Sequence, residues 1–597
     1  MSDQTVTLER PPVRSPSRFH AAIVPLLIVA TALLLAPYFF NFNSYILNIL
    51  MQGATYGVAV LGMTVVLGYT GQINLAQAAF FGIGAYAIGL GTAVHGLSFW
   101  VAFPLGIGVS ALAGFVLGMT TLRLGGHYLA MITISFQQIF DLVLVNWADV
   151  TKGPDGIPGI ARPSIFGFQL TDDRAYLSFC AIVLYLMLFM VWWLPKTRLG
   201  RAMRAVRENE MAAEVAGINT LAVKVIAFTM CAALAAAGGA LYAAGFAYVS
   251  PDNFNFKVSI DFLTMALLGG ASSPFGSALG TIILILMPEW LRFLKEIYLA
   301  VYGLAVILIM VFLPAGMWGI LSSAWNRVFK QDETVFDVIK PLSLDVPITD
   351  SAPILSLRNL QKHFGGVKAV DGIDIDVSRG TVHALIGPNG SGKTTILNVL
   401  SGIYKSTAGE IRVDGHSLAR SAPHVLASHG VGRTFQNIRL FPTMSALENV
   451  MVGAQRAGNP LQPGHAALRE RALSALGFVG MADRANVIVK NLPYGHQRMV
   501  EIARALAGHP KLLLLDEPAA GLNLTEKQEL VALLKRLRGH GLTIFLIEHD
   551  MGLIQQVSDR ISVLNFGKKI AEGAPEEVLR HPEVIKAYLG EDVHAAA

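Results

Sequence analysis

Cysteine and charged residues are scarce in this 597-residue chain. Its two cysteines, Cys180 and Cys231, lie in apolar runs and offer neither a disulfide framework nor the spacing of a zinc site. We therefore expect both to fill space between packed helices. Charged residues make up 15% of the chain, against about 25% in typical soluble proteins. Because 53% of the residues are hydrophobic, a disordered chain is excluded and an all-soluble enzyme is disfavoured.

The charge balance bears on nucleic-acid binding, and the length bears on the number of domains. Lys and Arg number 46 and Asp and Glu number 41, so the net charge is +5, which is too small to indicate nucleic-acid binding. The length is too great for one compact core and corresponds to about four units of roughly 150 residues. We expect several domains and no nucleic-acid partner.

The first half of the chain is nearly free of charge. Between Ala21 and Val150 the only charged side chains are Arg123, Asp141 and Asp149. Such a run can satisfy its backbone in lipid only as helices, and about 20 apolar residues cross a bilayer. We predict a cytoplasmic tail over 1–20 and a transmembrane domain over 21–323. The predicted helices, about ten in number, lie near 21–40, 45–68, 76–95, 97–119, 127–147, 175–195, 222–247, 258–271, 275–293 and 298–319.

Basic loops predict the orientation of these helices. The N-terminal tail contains three arginines, and the loop after the sixth span contains Lys196 and four arginines. Both segments should be cytoplasmic, and either ten or eight crossings then return the C-terminus to the cytoplasm. The first apolar stretch lacks a small-residue cleavage site and more spans follow it, so we expect a retained helix rather than a cleaved signal.

The composition changes near Ala324. Residues 324–351 are polar, contain Pro341 and Pro347, and are expected to form a linker. Residues 352–597 alternate β-rich runs with helical patterns, which is typical of an α/β domain. The predicted fold class is a polytopic α-helical membrane domain followed by an α/β domain of the phosphate-loop type.

A phosphate-binding motif follows the apolar strand 382–386. Glycines at such a loop let backbone N–H groups converge on phosphate oxygens, and the following helix adds its favourable dipole. Lys393 supplies a cation for the β- and γ-phosphates, and Thr394 supplies a hydroxyl for Mg²⁺. The residues expected to bind the nucleotide are Gly387, Pro388, Asn389, Gly390, Ser391, Gly392, Lys393, Thr394 and Thr395.

A second strand, the four leucines 512–515, ends in Asp516 and Glu517. Carboxylates at the C-terminal end of a buried strand lie where α/β sheets bind ligands. Asp516 is the expected Mg²⁺ partner, and Glu517 is the expected base or water-orienting group for attack on the γ-phosphate. Together with the phosphate loop, these residues predict a nucleotide hydrolase.

The motifs from Ala352 to the C-terminus resemble the ATP-binding cassette (ABC) family. Gln436 in Thr-Phe-Gln-Asn matches the glutamine loop, which touches Mg²⁺, and His549 matches the switch histidine. Phe364 is placed like the aromatic residue that stacks on adenine, and Asn523 occupies the D-loop. The segment that resembles the signature, which completes the ATP site of a second cassette, is Leu492, Pro493, Tyr494, Gly495 and His496.

The signature departs from the family pattern in two places. Pro493 replaces the usual Ser and has no hydroxyl to donate, and His496 replaces the usual Gln. The D-loop acid is replaced by Asn523. The site that receives this signature therefore lacks the usual hydroxyl, whereas the site around Lys393 and Glu517 has its full set of residues.

The membrane half narrows the class of transporter. Residues 201–217 resemble the coupling helix of ABC importers, and the residues expected to act there are Arg204, Arg207, Glu210, Glu214 and Gly217. The stretches 71–86, 126–133 and 153–157 resemble the permease of the branched-chain amino acid (leucine–isoleucine–valine) uptake system. The C-terminal stretch 582–590 resembles the end of that system's ATPase.

This resemblance implies a permease fused to its ATPase in a bacterial inner membrane, with ATP and Mg²⁺ bound on the cytoplasmic side. It implies ATP-driven uptake of branched-chain or related amino acids. The implied partners are membrane lipid, a periplasmic binding protein, a second permease, and a second cassette or second copy of this chain. Importers of urea or short amides belong to the same permease class, and no residue here separates these substrates. An ABC exporter is disfavoured because its long charged cytoplasmic helices are missing from the pattern.

Four polar residues lie at or near membrane depth: Gln72, Asn74, Gln77 and His127. Such residues either line a water-filled path or form hydrogen bonds between helices. The sequence leaves both interpretations open.

Overall fold

The computed structural model describes residues 43–121, 126–165, 167–291, 297–313, 316–328, 340–342, 352–455 and 465–589. The chain forms two compact units. One, here the membrane unit, contains the described residues from 43 to 207 and from 221 to 328. The other, here the cassette unit, contains the described residues from 208 to 220 and from 340 to 589. The helical first part and the α/β second part confirm the predicted fold class.

The membrane unit is built from apolar helices. Among the described residues, six helices have the length and composition needed to cross a bilayer. They are Ser44–Tyr69, Gln77–Val94, Phe99–Thr121, Tyr128–Asn146, Asp173–Lys196 and Thr220–Phe246. Further helices are Arg198–Glu208, Phe256–Gly269, Pro274–Trp290, Tyr298–Phe312 and Gly316–Val328. The predicted first span, 21–40, lies outside the described residues.

The last predicted span, 298–319, is not one helix. It divides into Tyr298–Phe312 and Gly316–Val328. Gly316 has φ +66, and a Cβ at this position would overlap the backbone of Gly270. The break therefore brings two backbones into contact, and Pro314 with Gly316 is the signal for it in the sequence.

Close packing in the membrane unit depends on small residues. A Cβ on Gly239 would overlap the carbonyl oxygen of Phe81, and one on Gly84 would overlap the helix that contains Gly239. The helices Gln77–Ile88 and Thr220–Phe246 can approach this closely because neither carries a side chain at the crossing. Packing of this kind is a main source of helix association in lipid.

The polar residues at the start of Gln77–Ile88 are hydrogen-bonded. The Asn74 amide lies 3.0 Å from Gln77 Oε1, and the Gln77 amide donates to the carbonyl of Ala59 at 2.6 Å. Side chains from other helices accept from the N–H groups at this helix start, as Ser259 does from Ala78 at 2.9 Å. The Asn74 amide also lies 3.6 Å from Cys231 Sγ on Thr220–Phe246, so the contacts of Asn74 and Gln77 support the interhelical interpretation. Gln72 is 6% exposed, and its amide has no hydrogen-bond partner among the described residues.

The cassette unit contains two sheets. The six-stranded sheet has the order Val431–Arg433, Leu512–Asp516, Thr543–Ile547, Val382–Ile386, Arg560–Asn565 and Lys568–Gly573. Its first five strands are parallel and the last is antiparallel. The antiparallel sheet has the order Val367–Val377, Leu355–Phe364, Ala408–Val413 and His416–Ser417. Every residue of the strands Val382–Ile386, Leu512–Asp516 and Thr543–Ile547 is buried, as expected for central parallel strands.

Helices surround the cassette sheets. Those with direct bearing on the site are Lys393–Leu400, Tyr494–Ala507, Leu524–Gly539 and Met551–Val557. The others are Glu210–Val215, Pro423–Ser428, Ala446–Ala454, His465–Phe478, Pro575–Val578 and Pro582–Leu589. Because the parallel strands share one direction, their C-terminal ends meet at a single edge, where the site is assembled.

Replacing Gly239 by Leu should prevent the membrane unit from packing. The added side chain has no space at the Phe81 carbonyl, and overpacking a tight contact costs about 3 kcal/mol. All seven tryptophans lie at or before Trp325, so tryptophan fluorescence during heating reports on this unit. The matched control is Gly108→Leu, since Gly108 is exposed on its helix and has nothing within 4 Å. Equal melting temperatures for the two variants would contradict the packing argument.

A buried histidine predicts a pH dependence of cassette stability. His383 is 1% exposed, lies 2.9 Å from Ser562 Oγ, and burial lowers its pKa to about 4. In the unfolded chain the pKa is about 6.5, so folding favours the neutral ring. The stabilisation is complete above about pH 6.5 and is lost as the pH falls through about 4, which amounts to about 3 kcal/mol.

This dependence can be measured by calorimetry of the purified chain, where the transition that ATP shifts belongs to the cassette. His383→Gln keeps a hydrogen-bonding group but removes the titration, so its profile between pH 7 and 4 should be flatter. A variant profile as steep as the original would show that other groups cause the loss.

Candidate nucleotide-hydrolysis site

The phosphate loop connects the strand Val382–Ile386 to the helix Lys393–Leu400. Gly387 has φ +152 and Gly392 has φ +101, and a Cβ at either position would overlap a backbone carbonyl. Only glycine fits this path without strain. The loop thereby brings its N–H groups to the start of the helix, which is the arrangement that binds phosphate.

Lys393 reaches back over this loop. Its ammonium donates to the carbonyl oxygens of Gly387 at 2.8 Å and Pro388 at 3.0 Å. The side chain is 5% exposed, and burial lowers its pKa, while Glu517 and Asp516 act in the opposite direction. The cation is therefore held inside the loop. Thr394 follows it and is exposed.

The three predicted catalytic residues lie together, because Gln436 and His549 both contact the carboxylate of Glu517. Glu517 Oε2 accepts a hydrogen bond from Gln436 Nε2 at 2.9 Å, and Glu517 Oε1 lies 3.1 Å from His549 Nε2. Glu517 has φ +45, a region that non-glycine residues seldom occupy. Such strain is found where the surrounding structure fixes a functional side chain. The carboxylate is held from both sides at the edge of the sheet.

Asp516 lies beside this carboxylate and is 2% exposed. Burial raises its pKa, and Arg433, whose Nη2 is 3.4 Å from Asp516 Oδ2, opposes the shift. Among the described residues, Asp516 Oδ1 is buried without a hydrogen-bond partner. A buried oxygen that still lacks a partner fits a hard cation, and the side-chain oxygens of Asp516, Thr394 and Gln436 are of the kind that binds Mg²⁺.

No group of three or more His, Cys, Asp or Glu side chains in the described part of the chain could hold a metal ion by itself.

Two buried charged residues support the site and were not identified from the sequence. Arg433 donates to the carbonyl of Leu397 at 3.1 Å and to Asn398 Oδ1 at 2.7 Å, so it links the phosphate-loop helix to Asp516. Burial lowers its pKa to about 10. Glu548 accepts from the N–H groups of Ala519 at 2.7 Å and His549 at 2.9 Å, and burial raises its pKa.

The segment that resembles the signature begins a helix. Pro493 is the residue before Tyr494–Ala507 and contributes no side-chain cap. A Cβ on Gly495 would overlap the carboxylate of Glu526. His496 Nδ1 lies 3.0 Å from Arg484 Nη1, and Leu492 is buried while Tyr494 is exposed.

Asn523 and Phe364 occupy two further positions singled out in the sequence. Asn523 Oδ1 accepts from the N–H of Glu526 at 2.9 Å, and so caps the helix Leu524–Gly539. Phe364 is 42% exposed and its ring lies 5.3 Å, edge-on, from that of Tyr404. An exposed aromatic surface of this kind is suited to stacking on a base.

The predicted coupling segment consists of two helices rather than one. Arg198–Glu208, which carries Arg204 and Arg207, ends where Asn209 caps Glu210–Val215. Asparagine is a strong N-cap, so this break had a signal in the sequence. Within the cassette unit, Glu208 Oε1 accepts from Thr443 Oγ1 at 2.7 Å.

The second of these helices packs against Pro423–Ser428 of the cassette unit. Glu214 Oε1 lies 3.8 Å from His424 Nδ1. Gly217 follows the helix at φ +99, and a Cβ added there would meet Ala427 only at the distance of ordinary van der Waals contact. This contact surface belongs to the same compact unit as the phosphate loop.

Three family models match the chain. The permease component of branched-chain amino acid transport systems matches residues 45–313, and the ABC transporter family matches residues 370–520. The branched-chain amino acid ATP-binding cassette transporter family matches residues 568–594.

Individual relatives match each part of the chain separately. The high-affinity branched-chain amino acid transport ATP-binding protein BraF of Pseudomonas aeruginosa is 44% identical over 253 residues, which is 40% of this chain and 99% of that protein. The permease protein LivM of Escherichia coli K12 is 33% identical over 315 residues, 49% of this chain and 74% of that protein. LivM of Salmonella typhimurium is 35% identical over 285 residues, 44% of this chain and 67% of that protein.

Replacing Glu517 by Gln should leave ATP binding intact and reduce steady-state hydrolysis by more than about a hundredfold, the size expected when a positioned base is removed. The amide keeps the size of the side chain, so Gln436 and His549 remain near their places. Lys393→Ala should instead weaken both binding and hydrolysis, because it removes the cation of the phosphate loop. A fluorescent ATP analogue measures binding and phosphate release measures turnover; unchanged turnover in Glu517→Gln would contradict the role.

Proposed function

This chain belongs to the branched-chain amino acid ABC transporter family, and we propose that it is the fused permease and ATPase of an importer for branched-chain or related amino acids. It is a multi-pass membrane protein that binds ATP and couples ATP hydrolysis to transport. The observation that carries the proposal is that one polypeptide contains a permease-like membrane unit and a cassette in which Gln436 and His549 hold Glu517.

In this proposal Glu517 orients the attacking water, and His549 and Gln436 keep its carboxylate directed at the γ-phosphate. Lys393 and the loop 387–395 bind the phosphates, and Phe364 stacks on the adenine. Thr394, Gln436 and Asp516 would hold Mg²⁺, which supplies charge neutralisation of the phosphates when bound. Arg433, whose Nη2 lies 3.4 Å from Asp516 Oδ2, would help to hold the Asp516 carboxylate in place.

We further propose that the cassette lies on the cytoplasmic side of the bacterial inner membrane, because the basic residues cluster in the tail and after the sixth span. Residues 1–20 would be the tail, 21–323 the membrane domain, 324–351 the linker and 352–597 the cassette. The segment 201–217 would act as the coupling helix, and the contact between Glu208 and Thr443 supports this role.

The proposed assembly contains more than this chain. The signature segment 492–496 would complete the ATP site of a second cassette, which is either a second copy of this chain or a separate subunit. With Pro493 in place of a hydroxyl residue, anion binding there depends on the backbone at Gly495 and on the helix N-terminus. A second permease and a periplasmic binding protein would complete the importer.

The substrate class can be tested with the reconstituted complex. The chain is purified with the subunits encoded beside it and placed in nanodiscs together with the matching binding protein. Leucine, isoleucine or valine bound to that protein should stimulate ATP hydrolysis several-fold, whereas urea and acetamide should not. The complex containing Glu517→Gln serves as the control for hydrolysis by this site. Stimulation by urea or acetamide alone would replace the amino-acid assignment with the related amide class.

A further inference from the structure

A fully buried ion pair lies on the helix that begins at the signature segment. Arg498 and Glu501 are one turn apart on Tyr494–Ala507, both are 0% exposed, and Arg498 Nη1 lies 2.8 Å from Glu501 Oε2. Burying two charges is costly, and apolar residues of similar size often stabilise a core equally well. Packing alone therefore does not account for this pair.

Both side chains bind the backbone of the glutamine loop, here residues 435–439. Arg498 donates to the carbonyl oxygens of Phe435 at 2.6 Å and of Gln436 at 2.7 Å. Glu501 Oε1 accepts from the N–H groups of Arg439 at 3.1 Å and Phe435 at 3.4 Å. The planar guanidinium makes two directed contacts at once, which a point charge cannot reproduce.

The backbone that Arg498 and Glu501 contact includes Gln436, whose side chain contacts the Glu517 carboxylate. Gln436 is exposed, so packing does not fix its position, yet its amide lies 2.9 Å from Glu517 Oε2. Whether that amide can reach Glu517 therefore depends on where the backbone of Gln436 is held. Contacts run in sequence from Arg498 to the Gln436 carbonyl and from the Gln436 amide to Glu517.

We propose that Arg498 and Glu501 are positioning residues that set the Gln436 amide against Glu517, so that movement of the signature helix alters hydrolysis at this chain's own ATP site. The inference rests on the proposed function, since it requires that Glu517 acts in hydrolysis and that the signature segment engages a second cassette. It adds a direction of communication: nucleotide bound at the neighbouring site acts on Glu517 through the backbone of 435–439.

The variant Arg498→Lys separates the charge of this side chain from its two contacts with the carbonyl oxygens. Lysine keeps the charge beside Glu501, so the buried carboxylate retains a partner, but it loses the planar fork that reaches both carbonyls. In the full complex we expect kcat to fall about tenfold with KM for ATP changed less than about twofold, because the loss concerns positioning in the transition state and not ground-state binding.

The matched control is Arg504→Lys on the same helix. Arg504 Nη2 lies 3.8 Å from Glu501 Oε1 and its guanidinium lies over the Phe441 ring, but it does not contact the carbonyls of Phe435 and Gln436. We expect kcat near the original value. Equal effects of the two substitutions would show a general structural role for the buried charges and overturn the proposal.

A second measurement does not depend on activity. Hydrogen–deuterium exchange of the peptide over 435–439 is followed in the Glu517→Gln background, with and without ATP. ATP should slow exchange in this peptide, and adding either Arg498→Lys or Gly495→Asp should remove that protection while the ATP analogue still binds. Protection that persists in both variants would overturn the transmission from the signature helix.

The two hypotheses fail in different ways. If the original complex binds ATP but shows no hydrolysis that Glu517→Gln abolishes, the proposed function itself is wrong. If that hydrolysis is present and Arg498→Lys leaves kcat and exchange unchanged, the function stands and the positioning role is wrong.

Discussion

The chemistry of the cassette depends on how one carboxylate is held. Glu517 follows a fully buried strand, takes a strained backbone conformation, and is contacted on its two oxygens by Gln436 and His549. These partners come from different loops, so the carboxylate is directed only when the sheet and both loops are in place. The buried charges of Arg433, Glu548, Arg498 and Glu501 serve this arrangement by fixing the backbone or the neighbouring carboxylate.

The membrane unit solves a different problem, because lipid provides neither hydrogen bonds nor a hydrophobic driving force between helices. Glycines such as Gly84 and Gly239 let backbones touch, and Asn74, Gln77 and Ser259 satisfy polar groups in its interior. Asn74 and Gln77, two of the four residues for which the sequence left a substrate path open, thus have a structural use. Their spacing alone could not distinguish the two.

The sequence predicted best what depends on local order. The phosphate loop, the strand before Asp516 and the apolar helices are encoded by spacing and composition, and the fold class was confirmed. It could not predict Arg433, Arg498 or Glu501 as supports, because their partners lie about 35 to more than 80 residues away in the chain. The break before Gly316 is marked in the sequence by Pro314 and Gly316 but lies inside an apolar run, and the break at Asn209 is marked by a capping residue that the pattern of arginines obscured.

Because the two units belong to one polypeptide, membrane units and cassette units are made in a one-to-one ratio. Each synthesised polypeptide contains one membrane unit and one cassette unit, so the hydrolase is not made apart from its membrane anchor. Separately encoded subunits must find each other by diffusion and compete for partners at whatever ratio they are made. Here the tether keeps the local concentration of one unit around the other high from the moment of synthesis.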